Sequence, residues 1–364
     1  MSLSIAALLP RVPVICFWEI TNACNLRCIH CEADAGCVIP GELDTREASV
    51  LAADLASAGC RAVCLTGGEP LVRPDWSILA RRLVDVGVAV TVITNGLLVD
   101  PPTIERMIEA GVTGVSVSLD GERDVHDAIR AASDRRAGSR YDAAVVALES
   151  LVASPLKTAV ITQIHRRNLA PGSLERMHAL LVTLGVDLWQ LQLAMPLGRL
   201  LRFRERYVID PEDIPALEAR LANLIADGRL AIAIGDNIGY YGPHEPKLRG
   251  SQNGATRFWM GCSAGCRVVA ITADGGVKGC PSHPRSFVVG NVREKNFAEI
   301  WADDSRFAYN TAWQEDLLEA GCRRCPYRRI CRAGCTTMAF AVTGTVYDNP
   351  FCTQRSLCVT GDGC

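Results

Sequence analysis

Three cysteines near the start of the chain have the spacing of a metal-binding loop. Within Ile20 to Cys31, the cysteines Cys24, Cys28 and Cys31 follow one another as C-x3-C-x2-C. A four-iron four-sulfur cluster needs four ligands, so three thiolates leave one iron open to a ligand from outside the protein. Zinc is the alternative, but zinc favours two C-x2-C pairs or a Cys/His set, which this loop lacks although His30 lies inside it.

The cysteine loop resembles that of the radical S-adenosylmethionine (SAM) superfamily. The resemblance implies a cluster whose open iron chelates the amino and carboxylate groups of the methionine part of SAM. It also implies that reduction of this cluster cleaves SAM to methionine and a 5'-deoxyadenosyl radical, which abstracts a hydrogen atom from the substrate.

Composition excludes several other classes of protein. The net charge of the 364-residue chain is -2, which argues against a broad nucleic-acid footprint. No twenty-residue apolar run predicts a membrane span, and the apolar start lacks the basic region and cleavage site of a signal peptide. We therefore expect a cytoplasmic protein, in which the 17 cysteines are metal ligands rather than a disulfide scaffold.

Apolar runs alternate with amphipathic segments over the first two thirds of the chain. This alternation predicts an α/β fold, a partial (β/α)6 parallel barrel followed by a small cysteine-rich iron-sulfur domain. The predicted strands are 12–19, 62–66, 89–94, 114–119, 158–163 and 188–193. The predicted helices are 45–58, 76–86, 102–110, 141–152, 174–184 and 214–226. The expected domains are a barrel over 1–235, a linker over 236–254 and the iron-sulfur domain over 255–364.

The stretch Thr66-Gly67-Gly68-Glu69-Pro70 follows the second predicted strand directly. The reactive loops of such a barrel lie at the carboxyl ends of the strands, and two glycines leave the backbone open to a close ligand. The stretch resembles the Gly-Gly-Glu-Pro motif of the radical SAM superfamily. That resemblance implies that Gly67, Gly68 and Glu69 receive the methionine ammonium.

Polar residues also follow the later strands, where each alone is typical of an ordinary turn. The resemblance implies that Ser118 and Arg130 hold the methionine carboxylate. It places Asn95, Asp120 and Asn168 near the ribose or the substrate, and Gln192 on the adenine-side strand.

The cysteines at the end of the chain predict two further metal sites. Eight of them make two sets of four, which fits either two clusters or two zinc ribbons. Their spacing resembles the SPASM domain, the auxiliary-cluster module of peptide-modifying radical enzymes. The resemblance implies an inner cluster on Cys262, Cys266, Cys280 and Cys335, an outer cluster on Cys322, Cys325, Cys331 and Cys352, and so three four-iron four-sulfur clusters in all. The short Cys262 to Cys266 spacing leaves the inner site open between four protein ligands and three with an open iron.

The family resemblance also indicates the substrate. SPASM enzymes mostly act on ribosomally made peptides, so we expect crosslinking or side-chain oxidation of a precursor peptide. An epimerase or dehydrogenase acting on a peptide or small molecule is the alternative, and an iron-sulfur electron carrier or zinc-binding interaction protein is the non-enzyme alternative. Only 23 residues precede Cys24, so a separate protein would hold a peptide leader if one is needed. We expect flavodoxin or ferredoxin as electron donor.

Two residues are candidates for the later chemical steps. Members of the sulfatase-maturing branch resemble one another in an Asp directly after the inner-cluster cysteine, where this chain has Pro281, which argues against that branch. His283, three residues past Cys280, is the nearest counterpart as a general base. Cys358 lies in the terminal tail and is a candidate hydrogen donor to a substrate radical.

Overall fold

The apolar runs of the first part of the chain form one parallel sheet. The computed structural model describes residues 11–131, 138–252 and 255–360, and the side chains of all of these except 251, 252, 255 and 358–360. Seven strands lie side by side in chain order. They are β1 (Ile15–Thr21), β2 (Ala62–Gly67), β3 (Ala89–Thr94), β4 (Gly114–Ser118), β5 (Lys157–Ile164), β6 (Leu188–Leu193) and β7 (Ala231–Ile234).

Helices connect these strands, as expected for parallel pairs. The barrel helices are α1 (Thr45–Ser57), α2 (Trp76–Asp85), α3 (Pro101–Ala110), α4 (Arg123–Ile129), α5 (Arg140–Val152), α6 (Ser173–Leu184), α7 (Arg204–Tyr207) and α8 (Ile214–Asp227). A capping box begins α1, because Asp44 accepts from Glu47 N at 2.8 Å and Glu47 accepts from Asp44 N at 2.9 Å. No helix of the described ranges is long and apolar enough to cross a bilayer.

The cysteine-rich part contributes strands to the same sheet. Its strands β10 (Val268–Ile271), β11 (Gly276–Lys278) and β12 (Gly290–Asn291) follow the small hairpin of β8 (Ser251–Gln252) and β9 (Ala255–Thr256). Strand β10 pairs with β1 in parallel, and β11 and β12 extend the edge antiparallel. The sheet therefore continues across the proposed linker, and β1 lies between the two parts of the molecule.

Short helices cover the cysteines of this second part. They are α9 (Glu245–Arg249), α10 (Phe297–Ala302), α11 (Ala308–Thr311), α12 (Ala320–Arg324), α13 (Arg328–Cys331), α14 (Thr336–Thr343) and α15 (Thr353–Thr360). The proposed linker is packed rather than open, because Tyr240 is 1% exposed and its hydroxyl donates to Asp236 O at 2.6 Å. Its neighbour Tyr241 stacks on Tyr327 with ring centroids 4.2 Å apart.

The six predicted strands and six predicted helices are confirmed within a few residues at their ends. Strand β7 and strand β10 were missed. Each has only four residues and pairs with a strand already in the sheet, so its local pattern carries little signal.

Glu218 on α8 joins the barrel to the segment that leads into the second part. Its carboxylate is fully buried, accepts from the Thr353 hydroxyl, and faces the backbone at Gly239 and Gly242. Its second oxygen has no hydrogen-bond partner among the residues that the structure describes. Burial raises the pKa of Glu218 to about 7; the nearby Glu245 adds to the rise, whereas Thr353 and Arg249 oppose it.

We expect the stability of the protein to decrease with rising pH because of Glu218. In the unfolded chain the carboxyl ionises near pH 4.5, whereas in the fold it keeps its proton until about pH 7. The folded state thus binds more protons in this window, and the stabilising contribution, up to about 3 kcal/mol, is lost as pH rises through it. Glu218→Gln should therefore reduce the difference between anaerobic thermal midpoints at pH 5 and pH 8. Glu149→Gln, an exposed change on α5, is the control, and an unchanged pH difference in Glu218→Gln would contradict the assignment.

Candidate active site

The cysteine loop leaves the carboxyl end of β1 and is held by an arginine from beyond β6. Arg199 donates from Nε to Cys28 O and from Nη1 to Ala35 O, both at 2.8 Å. Burial raises the pKa of the Cys28 thiol to about 12, although the Arg130 guanidinium opposes the rise. A cation at the sulfur would stabilise the thiolate, as a bound iron ion would.

The two glycines after β2 let that strand approach the cysteine loop. A Cβ on Gly67 would lie 2.2 Å from Thr21 O, and one on Gly68 would lie 2.1 Å from Ala23 O. Gly67 also has a φ of 137°, which L side chains rarely adopt. Since Gly68 N donates to Thr21 O and Glu69 N donates to Ala23 O, both at 2.8 Å, the motif fixes the loop as well as facing the cavity.

Glu69 is 1% exposed and is held by donors from two strand ends. It accepts from Thr94 Oγ1 at 2.8 Å, from Asn95 N at 2.7 Å and from Leu71 N at 3.2 Å. Burial raises the pKa of Glu69 to about 7 despite these donors. The side chain lines the cavity beside the cysteines, so it is placed to accept a further donor from a cationic ligand.

Asp120 forms an ion pair with Arg130 and lies outside the cavity lining. Its carboxylate lies 2.6 Å from Arg130 Nε and 3.2 Å from His30 Nε2, and it also accepts from Gln163 N at 2.9 Å. Although burial opposes the effect, Arg130 and His30 hold the pKa of Asp120 well below its usual range. Arg130 lines the cavity and Asp120 does not, so Asp120 orients the arginine rather than facing a ligand.

Of the remaining polar candidates, some line the cavity and others lie outside its lining. Asn95 lines the cavity and donates to Asn25 Oδ1 at 2.7 Å. Asn168 is buried and donates to Asp120 O at 2.8 Å and to Gln163 O at 2.9 Å, so it holds the turns after β4 and β5. Gln192 accepts from Gln190 at 3.3 Å and lies outside the cavity lining.

One cavity of about 210 Å³ therefore collects most of the predicted site. Its lining includes the predicted residues Cys24, Cys28, Cys31, Gly67, Gly68, Glu69, Asn95, Ser118 and Arg130. The oxygen of the Gln163 side chain, in the same lining, is buried and has no partner among the described residues. A bound ligand with a hydroxyl or amine would satisfy it.

The cysteines of the second part separate into two groups. Burial raises the pKa of Cys335 most, and the charges of Cys262 and Cys280 raise it further, so these three thiols lie within electrostatic reach of one another. Cys266 lies beside Cys262. Burial raises the pKa of Cys266 most, and the charge of Cys262 raises it further.

In the outer group all four thiols are neighbours. Burial raises the pKa of Cys331 well above its usual value, and the charges of Cys352, Cys322 and Cys325 add to the rise. No three His, Cys, Asp or Glu side chains of the described ranges converge closely enough for a single metal ion.

Comparison with known proteins agrees with this geometry. Residues 18–161 match the model of the radical SAM superfamily, and residues 262–326 match that of SPASM, an iron-sulfur cluster-binding domain. Mycofactocin maturase MftC of Mycobacterium ulcerans is 32% identical over 343 residues, which are 93% of this chain and 86% of that protein. The chain belongs to the radical SAM superfamily.

Other radical SAM proteins extend the comparison. The AdoMet-dependent heme synthase of Methanosarcina barkeri is 29% identical over 355 residues, 95% of this chain and 97% of that protein. The crystal structure of SuiB from Streptococcus suis bound to S-adenosylmethionine has the same fold, with a TM-score of 0.70 at 16% identity over 93% of this chain and 76% of that chain. The fold class, the enzyme class and the predicted cofactors, SAM and three four-iron four-sulfur clusters, are thereby confirmed for this radical SAM/SPASM enzyme.

Several cavity residues of this radical SAM enzyme were not assigned a role from the sequence. They are Glu19, Glu32, Gln163, Arg199 and Ser282. The position of Glu19 near the carboxyl end of β1 could have predicted that it faces the cavity, because reactive residues lie at the carboxyl ends of barrel strands. Lys278 draws the 281–283 turn toward this strand: its amine lies 2.8 Å from Glu19 Oε1 and donates to Pro281 O at 2.8 Å.

The candidates for later steps lie elsewhere. His283 is 2% exposed, lies outside the cavity lining, and packs against Phe287 with ring centroids 4.4 Å apart. Both of its ring nitrogens lack a partner in the described ranges, and burial lowers the pKa of His283 to about 3. This enclosed position argues against a role as general base. The side chain of Cys358 lies outside the described part of the chain.

The cysteines left out of the metal sets have ordinary roles. Cys16, Cys60 and Cys64 are buried in the hydrophobic core. Cys37 is exposed and accepts from Arg27 Nη2 at 3.3 Å.

Proposed function

We propose that this enzyme removes two hydrogens from a ribosomally made precursor peptide, by crosslinking or side-chain oxidation. The observation that carries the proposal is a single cavity that joins the cysteine loop and Arg130 to Glu32 and Ser282 at the edge of the auxiliary part. The sequence similarity to mycofactocin maturase supports a peptide substrate. A cytoplasmic location, a separate leader-binding protein and flavodoxin or ferredoxin as electron donor stay predictions.

The residues of the cavity fit SAM and its cluster. We propose that Cys24, Cys28 and Cys31 hold the cluster, while Glu69 accepts the methionine ammonium and Arg130 binds its carboxylate. When bound and reduced, the cluster supplies the electron that cleaves SAM to methionine and the 5'-deoxyadenosyl radical. Asp120 keeps the Arg130 guanidinium oriented toward the cavity, and the glycines of β2 keep the loop against the strand.

The far side of the cavity offers polar contacts for a peptide. Glu32 lies beside Ser282, and one of its oxygens is buried without a partner among the described residues. Burial raises the pKa of Glu32 to about 7, so its carboxyl can accept from a peptide N–H when ionised and donate to a peptide carbonyl when protonated.

A precursor of heme is the second candidate, because the heme synthase of Methanosarcina barkeri is similar over nearly the whole chain. Heme and its precursors carry carboxylate side chains, which need a cationic or hydrogen-bond donor group as partner. Lys278, which would neutralise such a group, is already paired with Glu19.

The proposed reaction is balanced without an external oxidant. The substrate gives one hydrogen atom to the 5'-deoxyadenosyl radical and then loses one proton and one electron. Cleavage of SAM consumes one electron at the start, and the substrate radical returns one at the end. The products are the peptide lighter by two hydrogens, methionine, 5'-deoxyadenosine and one proton.

Incubation with SAM, a reductant and a precursor peptide encoded beside this gene should test the proposal. We expect 5'-deoxyadenosine together with a peptide that is two hydrogens lighter by mass spectrometry. In a parallel incubation, an iron porphyrin that carries propionate side chains should remain unchanged. The control variant is Cys37→Ala, which changes an exposed cysteine outside the proposed ligand sets and should retain full activity.

Two results would contradict the proposal. A peptide of unchanged mass that carries one solvent deuterium would indicate epimerisation, with a thiol such as Cys358 as donor. Conversion of the porphyrin with no change in the peptide would favour the heme-type reaction.

A further inference from the structure

The hydroxyl of Tyr309 is buried and has no hydrogen-bond partner among the residues that the structure describes. The residue lies on α11, above the backbone that leads into Cys280. A Cβ built on Gly279 would lie 2.0 Å from the Tyr309 hydroxyl oxygen and 2.8 Å from Gly265 N. The hydroxyl therefore sits over the two glycines that directly precede Cys280 and Cys266.

The surroundings of Tyr309 hold the ring in place. Asn310 donates to Ala264 O at 2.8 Å, and Phe307 packs against Gly265, so α11 is fixed to the Cys262–Cys266 loop on both sides of the tyrosine. His283 and Phe287 enclose the ring, with centroids 5.3 Å and 5.6 Å from it. The hydroxyl cannot turn to water without moving these contacts.

The groups that lie within electrostatic reach of the hydroxyl are the inner cysteines. Burial raises the pKa of Tyr309, and the next causes are the charges of Cys262, Cys280 and Cys266. A buried hydroxyl without a partner is costly and rare in native proteins, so a partner is expected at this position. The sulfurs of the inner cluster are the acceptors that this place in the fold would supply.

We propose that Tyr309 donates a hydrogen bond to a sulfur of the inner auxiliary cluster and thereby sets its reduction potential. The proposal rests on the inner ligand set given above. Hydrogen bonds to cluster sulfurs are one of the levers that set the potential of iron-sulfur centres, because they stabilise the added negative charge of the reduced state. Tyr309 is thus a positioning residue for electron transfer and not a ligand.

Tyr309→Phe removes the hydroxyl and keeps the ring. In the anaerobically reconstituted full chain, we expect unchanged iron content and a more negative midpoint potential for the inner cluster in an EPR-monitored redox titration. The inner-cluster signal is identified as the one that Cys280→Ala removes. Tyr141→Phe, a change on α5 of the barrel, is the matched control and should leave the potential unchanged.

A second measurement does not depend on the variant. After exchange into D₂O, pulsed electron-nuclear double resonance of the reduced wild-type enzyme should show an exchangeable deuteron coupled to the inner cluster. The same coupling should be lost in Tyr309→Phe.

The results that would refute the role of Tyr309 differ from the result that would refute the proposed inner ligand set. An unchanged potential in Tyr309→Phe, or a wild-type inner cluster without a coupled exchangeable deuteron, would overturn the role of Tyr309. Loss of one cluster's iron in Tyr309→Phe would overturn it too, because the tyrosine would then be a ligand. A wild-type enzyme that binds only two clusters would instead refute the inner ligand set itself.

Discussion

Replacement of Cys24, Cys28 and Cys31 together by Ala should abolish SAM cleavage and remove about a third of the bound iron, one of three clusters. The three side chains line the cavity with Glu69 and Arg130, and the auxiliary cysteines lie in a separate part of the chain. The auxiliary clusters should therefore form without the loop cluster. Iron content and 5'-deoxyadenosine production, both measured after anaerobic reconstitution, test the two halves of the prediction.

The matched control for this triple change is Cys37→Ala. Cys37 lies on the same loop but is exposed beside Arg27, so its replacement should leave iron and SAM cleavage unchanged. If the triple variant lost all of its iron, the cluster sites would depend on one another and the separation of ligand sets would be wrong.

The sequence predicted the strand-end positions of the site because parallel strands present all their carboxyl ends at one edge. Cys24, Glu69 and Asn95 follow three different strands and Ser118 ends a fourth, and the structure brings them to one cavity. The alternation of apolar runs was enough for this, since it sets the direction of every strand.

The direction of individual side chains could not be predicted in the same way. Asp120 lies two residues after Ser118, the last residue of β4, yet Ser118 lines the cavity and Asp120 pairs with Arg130 outside the cavity lining. Which of two neighbouring turn residues faces a cavity depends on partners such as His30 and Gln163, which lie far away in the chain.

The contacts between the barrel and the auxiliary part could not be predicted from the pattern of apolar residues either. Strand β10 pairs with β1 although about 250 residues separate them, and a four-residue apolar run does not indicate which sheet edge it joins. This pairing brings Ser282 into the cavity beside Glu32. The side of the cavity formed by Ser282 therefore depends on a contact between distant parts of the chain, whereas the side formed by the cysteine loop and Glu69 follows from the strand ends of the barrel.

Asp120→Ala should destabilise the enzyme and weaken its binding of SAM. The Asp120 carboxylate is 0% exposed and is paired with the largely buried Arg130, so its removal leaves an uncompensated buried cation. Removal of one partner from a buried pair typically costs about 3 to 5 kcal/mol. It also releases Gln163 N and His30, and both of these residues line the cavity. Anaerobic denaturation and a SAM binding titration measure the two effects.

Asp127→Ala is the control for this change, since the pair that Asp127 makes with Arg140 is partly exposed and 3.7 Å long. Asp127 also accepts from Tyr141 N at 2.8 Å in the first turn of α5, so the change should cost about 1 to 2 kcal/mol, less than a broken buried pair. Asp120→Asn keeps an acceptor for only one of the two donors, Arg130 Nε or Gln163 N, and removes the charge, so its stability should fall between those of Asp120→Ala and the wild type. If Asp120→Ala lost no more stability than Asp127→Ala and bound SAM normally, Arg130 would not depend on Asp120 for its position. In that case the carboxylate-binding role proposed for Arg130 would lose its structural support.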